Sequence, residues 1–120
     1  MLVMAANSGP EPRVTVAVAQ LLAVFLADTA RPRYGYELMQ ATRFQSGKLY
    51  PILGRLTRSG WLVREREDIE PEQEGRPARY LYRLTEHGTR SARLELAELR
   101  EKTSVPPLPG LRPWPAGRLT

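Results

Sequence analysis

Between Gln45 and Gly60 the apolar residues are Leu49, Ile52, Leu53 and Leu56, the i, i+3, i+4, i+7 spacing of one helix face. The opposite face holds Gly47, Pro51, Gly54 and Arg58, flanked by Lys48 and Arg55 on one side and Tyr50 on the other. It carries no acid. A core helix needs the stripe, but it has no need of so small and basic a back. Small residues admit close approach and the cations favour a polyanion. The pattern predicts a helix that docks into another molecule, with DNA as first candidate.

The rest of the chain supplies a setting for that helix. Over residues 14–27 only Thr15 and Gln20 are polar, so a helix here is apolar nearly all round. Its cover must come from more than one side, from its own domain or from another subunit. Pro32 stops it. Residues 34–42 read as a short helix with Leu38 and Met39 as core candidates, and residues 43–45 link it to the basic helix. Two short helices joined by so tight a turn make a helix-turn-helix pattern. Gly60 suits a helix end, and residues 61–66 then have strand character. Residues 68–77 form a polar, turn-rich loop with Pro71, Gly75 and Pro77. Residues 79–84 alternate, with Tyr80, Tyr82 and Leu84 on one side and Arg79, Leu81 and Arg83 on the other. A strand, loop and strand directly after a helix-turn-helix form a wing.

Thr85 is a plausible cap for a last helix running to about Lys102, with Glu86 in its first turn. Ala92, Leu96 and Leu99 share one face, while Leu94 and Ala97 lie on roughly the other, so this helix also has two faces to bury. The expected organisation is a flexible leader over 1–13, one domain over 14–102 and a mobile, proline-rich tail over 103–120. The fold class is mainly α with a small β-wing, a winged helix-turn-helix.

Charge sharpens the picture. The 120 residues carry 18 Lys and Arg against 13 Asp and Glu, a formal charge of +5, which favours nucleic acid or anionic surfaces as partners. Residues 31–64 hold seven of the cations against Glu37 alone, whereas residues 65–74 hold six acids against Arg66. Phosphate repels the acidic half of the wing, so Arg76 and Arg79 are expected to face the DNA backbone or minor groove. The free N–H groups at Ser46, Gly47 and Lys48 favour a phosphate oxygen. Tyr50 can donate to a phosphate or lie against a thymine methyl, and Arg55 is expected on phosphate in preference to Arg58. Pro51 costs little only near the first turn, so the helix is expected to begin near Gly47 or Lys48.

Other chemistry finds little support. The chain has no cysteine, one histidine and no glycine-rich phosphate loop after a strand. His87 is expected to pack or hydrogen-bond near the start of the last helix. No catalysis, metal or cofactor is expected. The longest apolar run has 14 residues, too short for a bilayer span of about 20, so no membrane partner is expected either. A cytoplasmic protein fits the missing cysteines.

Three stretches resemble the PadR family of transcriptional regulators: Tyr34-Gly35-Tyr36-Glu37-Leu38, the run from Ser46-Gly47-Lys48-Leu49-Tyr50-Pro51 to Ser59-Gly60-Trp61-Leu62, and Glu74-Gly75-Arg76-Pro77-Ala78-Arg79-Tyr80 to Thr85 and Gly88. The resemblance covers roughly residues 14–99 in order and spacing. It implies a winged-helix DNA-binding domain, with Tyr34 joining the expected contacts. It also implies a homodimer built through the first and last helices, here by Val18, Leu22, Phe25, Leu94 and Ala97. Such regulators usually repress at a pseudo-palindromic operator, and many respond to phenolic or drug-like small molecules. This chain departs from the pattern at Lys48, where a small hydroxyl residue is usual, and in ending with one helix and a tail. The alternative from another class is a winged-helix protein-interaction module whose basic surface meets an acidic protein.

Overall fold

The computed structural model describes residues 11–103. Five helices and three strands follow in the order α1 (Val16–Leu26), β1 (Arg33–Tyr34), α2 (Gly35–Thr42), α3 (Ser46–Arg58), β2 (Leu62–Arg66), α4 (Pro71–Glu74), β3 (Tyr80–Leu84) and α5 (Glu86–Thr103). The strands make one antiparallel sheet in the order β1-β3-β2. Together α2, α3 and the β2–β3 wing form a winged helix. The proline-rich stretch beyond Thr103 and residues 1–10 of the expected leader lie outside the described residues.

The stripe on α3 does what its spacing predicts: Leu49, Ile52, Leu53 and Leu56 are all buried in the core. Gly60 ends the helix at φ +81°. Its N–H donates to the Thr57 carbonyl (3.1 Å), and the N–H of Trp61 donates to that of Leu56 (2.9 Å). This paired reversal satisfies two orphan carbonyls and turns the chain so that Trp61 and Leu62 enter the core.

Pro51 does not mark the start of α3. The helix begins at Ser46, placing the proline in its second turn. The amide hydrogen that Pro51 lacks belongs to a bond with the carbonyl of Gly47, four residues back.

The dimer face expected on α1 needs correction. Val18, Leu22 and Phe25 are 3%, 0% and 1% exposed and lie in their own chain's core. A residue so covered by its own domain has no surface left for a partner. The outward side of α1 holds Val16, Gln20 and Ala23 instead. On α5 the division of faces matches the pattern: Ala92 is buried, Leu96 packs against the core, and Leu94 and Ala97 are exposed.

Two elements were not expected. Residues 71–74 form a one-turn helix rather than open loop. Pro71 at its start has a pre-set φ, Glu72 and Glu74 favour the first turn, and Gly75 stops it at φ +73°. Strand β1 pairs Arg33 with Tyr82 and Tyr34 with Leu81. Two residues are too few to show a period. Arg33 is buried, and its Nε has no hydrogen-bond partner among the described residues.

Helix α5 is clipped to the end of α3. The Thr85 hydroxyl donates to the Gly60 carbonyl (2.6 Å) and accepts from the N–H of Gly88 (2.9 Å), while the Thr85 N–H donates to the Trp61 carbonyl (3.0 Å). Gly88 lies so close that a Cβ there would overlap the Trp61 backbone. His87 sets its ring edge-on to Trp61, with centroids 6.3 Å apart. Glu11 reaches both rings: one oxygen accepts from Trp61 Nε1 (3.2 Å) and the other stands 3.5 Å from His87 Nε2.

Candidate nucleic-acid interface

The first turn of each helix must find partners for its free N–H groups. In α1 Thr15 Oγ1 accepts from Val18 N (3.2 Å), and in α5 Thr85 does the same for Gly88. Ahead of α2 Tyr34 makes no side-chain cap bond, although its own N–H donates to the Glu37 carboxylate (3.3 Å), which pairs with Arg31, and Glu70 caps nothing ahead of the short α4. At α3 the preceding residue, Gln45, makes no such bond. Gln45, Ser46, Gly47 and Lys48 are all exposed, and open space surrounds the place where a Gly47 Cβ would sit. The Lys48 N–H, expected to be free, donates to the Gln45 carbonyl (3.0 Å), so the dipole of α3 ends in the open donors of Ser46 and Gly47, an arrangement that attracts an oxyanion.

The turn before α3 aims its cation. Arg43 adopts a left-handed conformation (φ +64°), its N–H donating to the Met39 carbonyl (2.8 Å). The Thr42 hydroxyl donates to the Leu38 carbonyl (2.8 Å) and accepts from the N–H of Phe44 (3.1 Å). Phe44 is thereby turned into the core, and Lys48 Nζ rests 4.3 Å from its ring centroid. Lys48 is thus held beside the open helix end.

A cavity of about 590 Å³ lies between the start of α2, α3 and the wing. All five tyrosines of the chain line it: Tyr34, Tyr36, Tyr50, Tyr80 and Tyr82. Tyr50 leans so close to Gly35 that a side chain there would strike its hydroxyl. Arg79 stacks on Tyr34 (4.5 Å) and Arg64 on Tyr80 (4.4 Å). A second cavity continues along α3 past Gly54 to Arg58 and Arg64, sharing Tyr50 and Tyr82 with the first. No carboxylate lines either cavity. Hydroxyls, guanidinium groups and aromatic faces together suit a phosphodiester strand and repel nothing anionic.

Of the residues singled out from sequence, Tyr34, Tyr50 and Arg79 meet in the crevice, and Ser46, Gly47 and Lys48 share the helix end. Arg55 lines a cleft with Glu11, Pro12 and Arg13; Arg58 borders that cleft too but also lines the wing-side cavity, so it is the arginine of α3 that reaches the wing. Arg76 is already engaged: its Nη1 and Nη2 donate to the two carboxylate oxygens of Glu67 at 2.8 and 3.1 Å. These bonds hold the Glu67 carboxyl at about 2, far below its ordinary 4.5, against a partial desolvation that opposes them; the N–H of Arg79 (3.2 Å) adds to the effect. Sequence reasoning missed Tyr36, Tyr80, Tyr82 and Arg64 as members of the crevice. Alternation put Tyr80 and Tyr82 on one side of a strand, but only β1 brings that strand to Tyr34 and Tyr36.

Among the described residues no group of His, Asp and Glu is arranged to hold a metal ion, and no helix is long and apolar enough to cross a membrane.

Comparison with known proteins agrees with this geometry. The model of the transcriptional regulator PadR-like family matches residues 21–94. The crystal structure of a Streptococcus transcriptional regulator is similar, with a TM-score of 0.52 at 23% identity, over 77% of this chain and 94% of that one. At that identity the likeness establishes the fold. No curated protein matches the sequence.

Proposed function

The chain belongs to the PadR-like family of transcriptional regulators, and on that premise we propose that it binds duplex DNA sequence-specifically as a homodimeric repressor. The open first turn of α3 carries the proposal, because it is exposed, uncapped by any side chain and accompanied by Lys48. That end of α3 enters the major groove, where Ser46, Gly47 and Lys48 take a phosphate. The adjoining strand passes along the tyrosine crevice between α3 and the wing, where Tyr34, Tyr50, Arg79 and Arg64 supply further donors. Arg76 fixes the wing rather than reaching for DNA.

The dimer in this reading uses the outward faces of α1 and α5. Val16 and Leu94 are 59% and 60% exposed, and Ala23 and Ala97 lie open beside them. Two such subunits read half-sites about 34–36 Å apart. Family membership further supports release of the operator by a small-molecule effector and action in the cytoplasm, where the DNA is.

Operator selection from random duplexes, followed by binding titrations over a range of salt, tests the reading. The expected result is a pseudo-palindromic site bound at least 10³-fold more tightly than random DNA, weakening steeply with salt. Equal, salt-insensitive binding to every duplex would overturn it. Failure of excess nonspecific duplex to compete would favour the protein-interaction alternative.

A further inference from the structure

The wing holds six acids within ten residues, and five of them, Glu65 in β2, Asp68, Glu70, and Glu72 and Glu74 in α4, are exposed, Glu65 standing 3.5 Å from Arg83. Glu67 is the exception. Partly buried, it stands at the neck of the wing, immediately after the last residue of β2. Its N–H donates to the Arg79 carbonyl (2.7 Å), and its carboxylate accepts from the Arg79 N–H (3.2 Å). Both backbone groups of Arg79 are therefore held by this one residue. The same carboxylate takes both terminal nitrogens of Arg76, whose Nη1 also donates to the Pro77 carbonyl (3.1 Å). Residues 68–78 are thus closed into a loop across a single residue, by its backbone N–H and by its carboxylate.

We propose that Glu67 is the positioning residue of the wing: it closes the neck so that Arg79 is delivered to the tyrosine crevice, and its loss weakens specific DNA binding although a negative charge is removed. This rests on the DNA-binding reading above. Simple electrostatics gives the opposite sign. An acid 12 residues before an interface arginine repels phosphate, and its neutralisation by itself would tighten binding. The geometry opposes that term, because the Arg79 that stacks on Tyr34 is the residue whose backbone N–H and carbonyl Glu67 holds. The depressed carboxyl pKa agrees with a clamp fully ionised and closed at neutral pH.

Glu67→Gln tests the proposal, since it preserves shape and removes the charge that binds Arg76 at both oxygens. Operator affinity is expected to fall about tenfold, the range of one lost interface contact. The slope of log affinity against log salt should become shallower by about one for each subunit, because one phosphate contact goes with Arg79. A merely structural loss that reduces the folded fraction would lower affinity at every salt concentration and leave the slope unchanged. Amide hydrogen exchange without DNA supplies the independent readout: residues 67–79 should lose protection in the variant while α1, α3 and α5 keep theirs. Unchanged or tighter operator binding, an unchanged salt slope, or full protection of residues 67–79 would each overturn the proposal. Should the unaltered protein bind no duplex at all, the DNA reading fails by itself, and hydrogen exchange alone decides whether Glu67 closes the wing.

Discussion

Helices α3 and α5 begin alike in sequence, with Ser46-Gly47-Lys48 and Thr85-Glu86-His87-Gly88, yet the structure treats their first turns in opposite ways. At α5 the hydroxyl of Thr85 caps Gly88 and reaches back to Gly60, and Gly88 has no space for a side chain. At α3 the N-cap Gln45 makes no bond, and Gly47 faces open space. The same small residue therefore serves two ends. In α5 it lets one helix dock on the chain's own backbone; in α3 it leaves room for a molecule from outside. An unsatisfied helix end costs stability. That the first turn of α3 is left open and exposed, while the other two long helices, α1 and α5, are capped by Thr15 and Thr85, marks it out for function.

The sharpest way to break this contrast is to place the same methyl group at both glycines. Gly88→Ala forces a Cβ into the Trp61 backbone, which cannot swing aside, and should cost about 3 kcal/mol or more in denaturant unfolding. Gly47→Ala meets nothing within reach and should leave stability unchanged or slightly raised, while weakening DNA binding. Equal stability costs at the two positions would dissolve the distinction. Next in size is Thr85→Ala, which removes the cap and the clip to Gly60 together and should cost about 1–2 kcal/mol in unfolding free energy. Since Thr85 is on no DNA-facing surface in this account, operator affinity of the folded variant should not change.

Smaller effects separate the cations. Lys48→Ala should scarcely alter unfolding, because the exposed Lys48 gains about 0.5–1 kcal/mol at most from its contact with the Phe44 ring. It should reduce the salt slope of operator binding by about 0.9 for each subunit. Arg55→Ala, on the cleft with Arg13, should reduce that slope less than Arg58→Ala does, reversing the preference that charge pattern alone suggests.

Much of the contrast is legible in the chain. The periodicity of Leu49, Ile52, Leu53 and Leu56 locates the buried face of α3, and its small, basic back follows from the same residues. Alternation marks β3, and Gly60 marks the turn into β2. What sequence does not carry is pairing across distance. Strand β1 is two residues long, so nothing reveals that Tyr34 lies beside the wing and that five tyrosines share one cavity. Nor does periodicity tell which side of α1 the domain uses. With apolar residues nearly all round, Val18, Leu22 and Phe25 fit an interface as well as a core, and only packing against α2 and α5 decides for the core. Arg76 illustrates a third limit. A guanidinium in a wing reads as a DNA contact until the carboxylate of Glu67, nine residues earlier, is found to occupy it.

The central claim, that α3 forgoes a cap in order to bind phosphate, makes stability and function move in opposite directions at one residue. Gln45→Asp supplies the missing cap and sets a negative charge on the helix end. Unfolding free energy and operator affinity measured on this one variant test the claim most directly. The account predicts a gain of about 1 kcal/mol in stability together with a loss of about tenfold or more in affinity. A variant that gains stability and binds its operator undiminished would show that the open end of α3 is not where DNA is held.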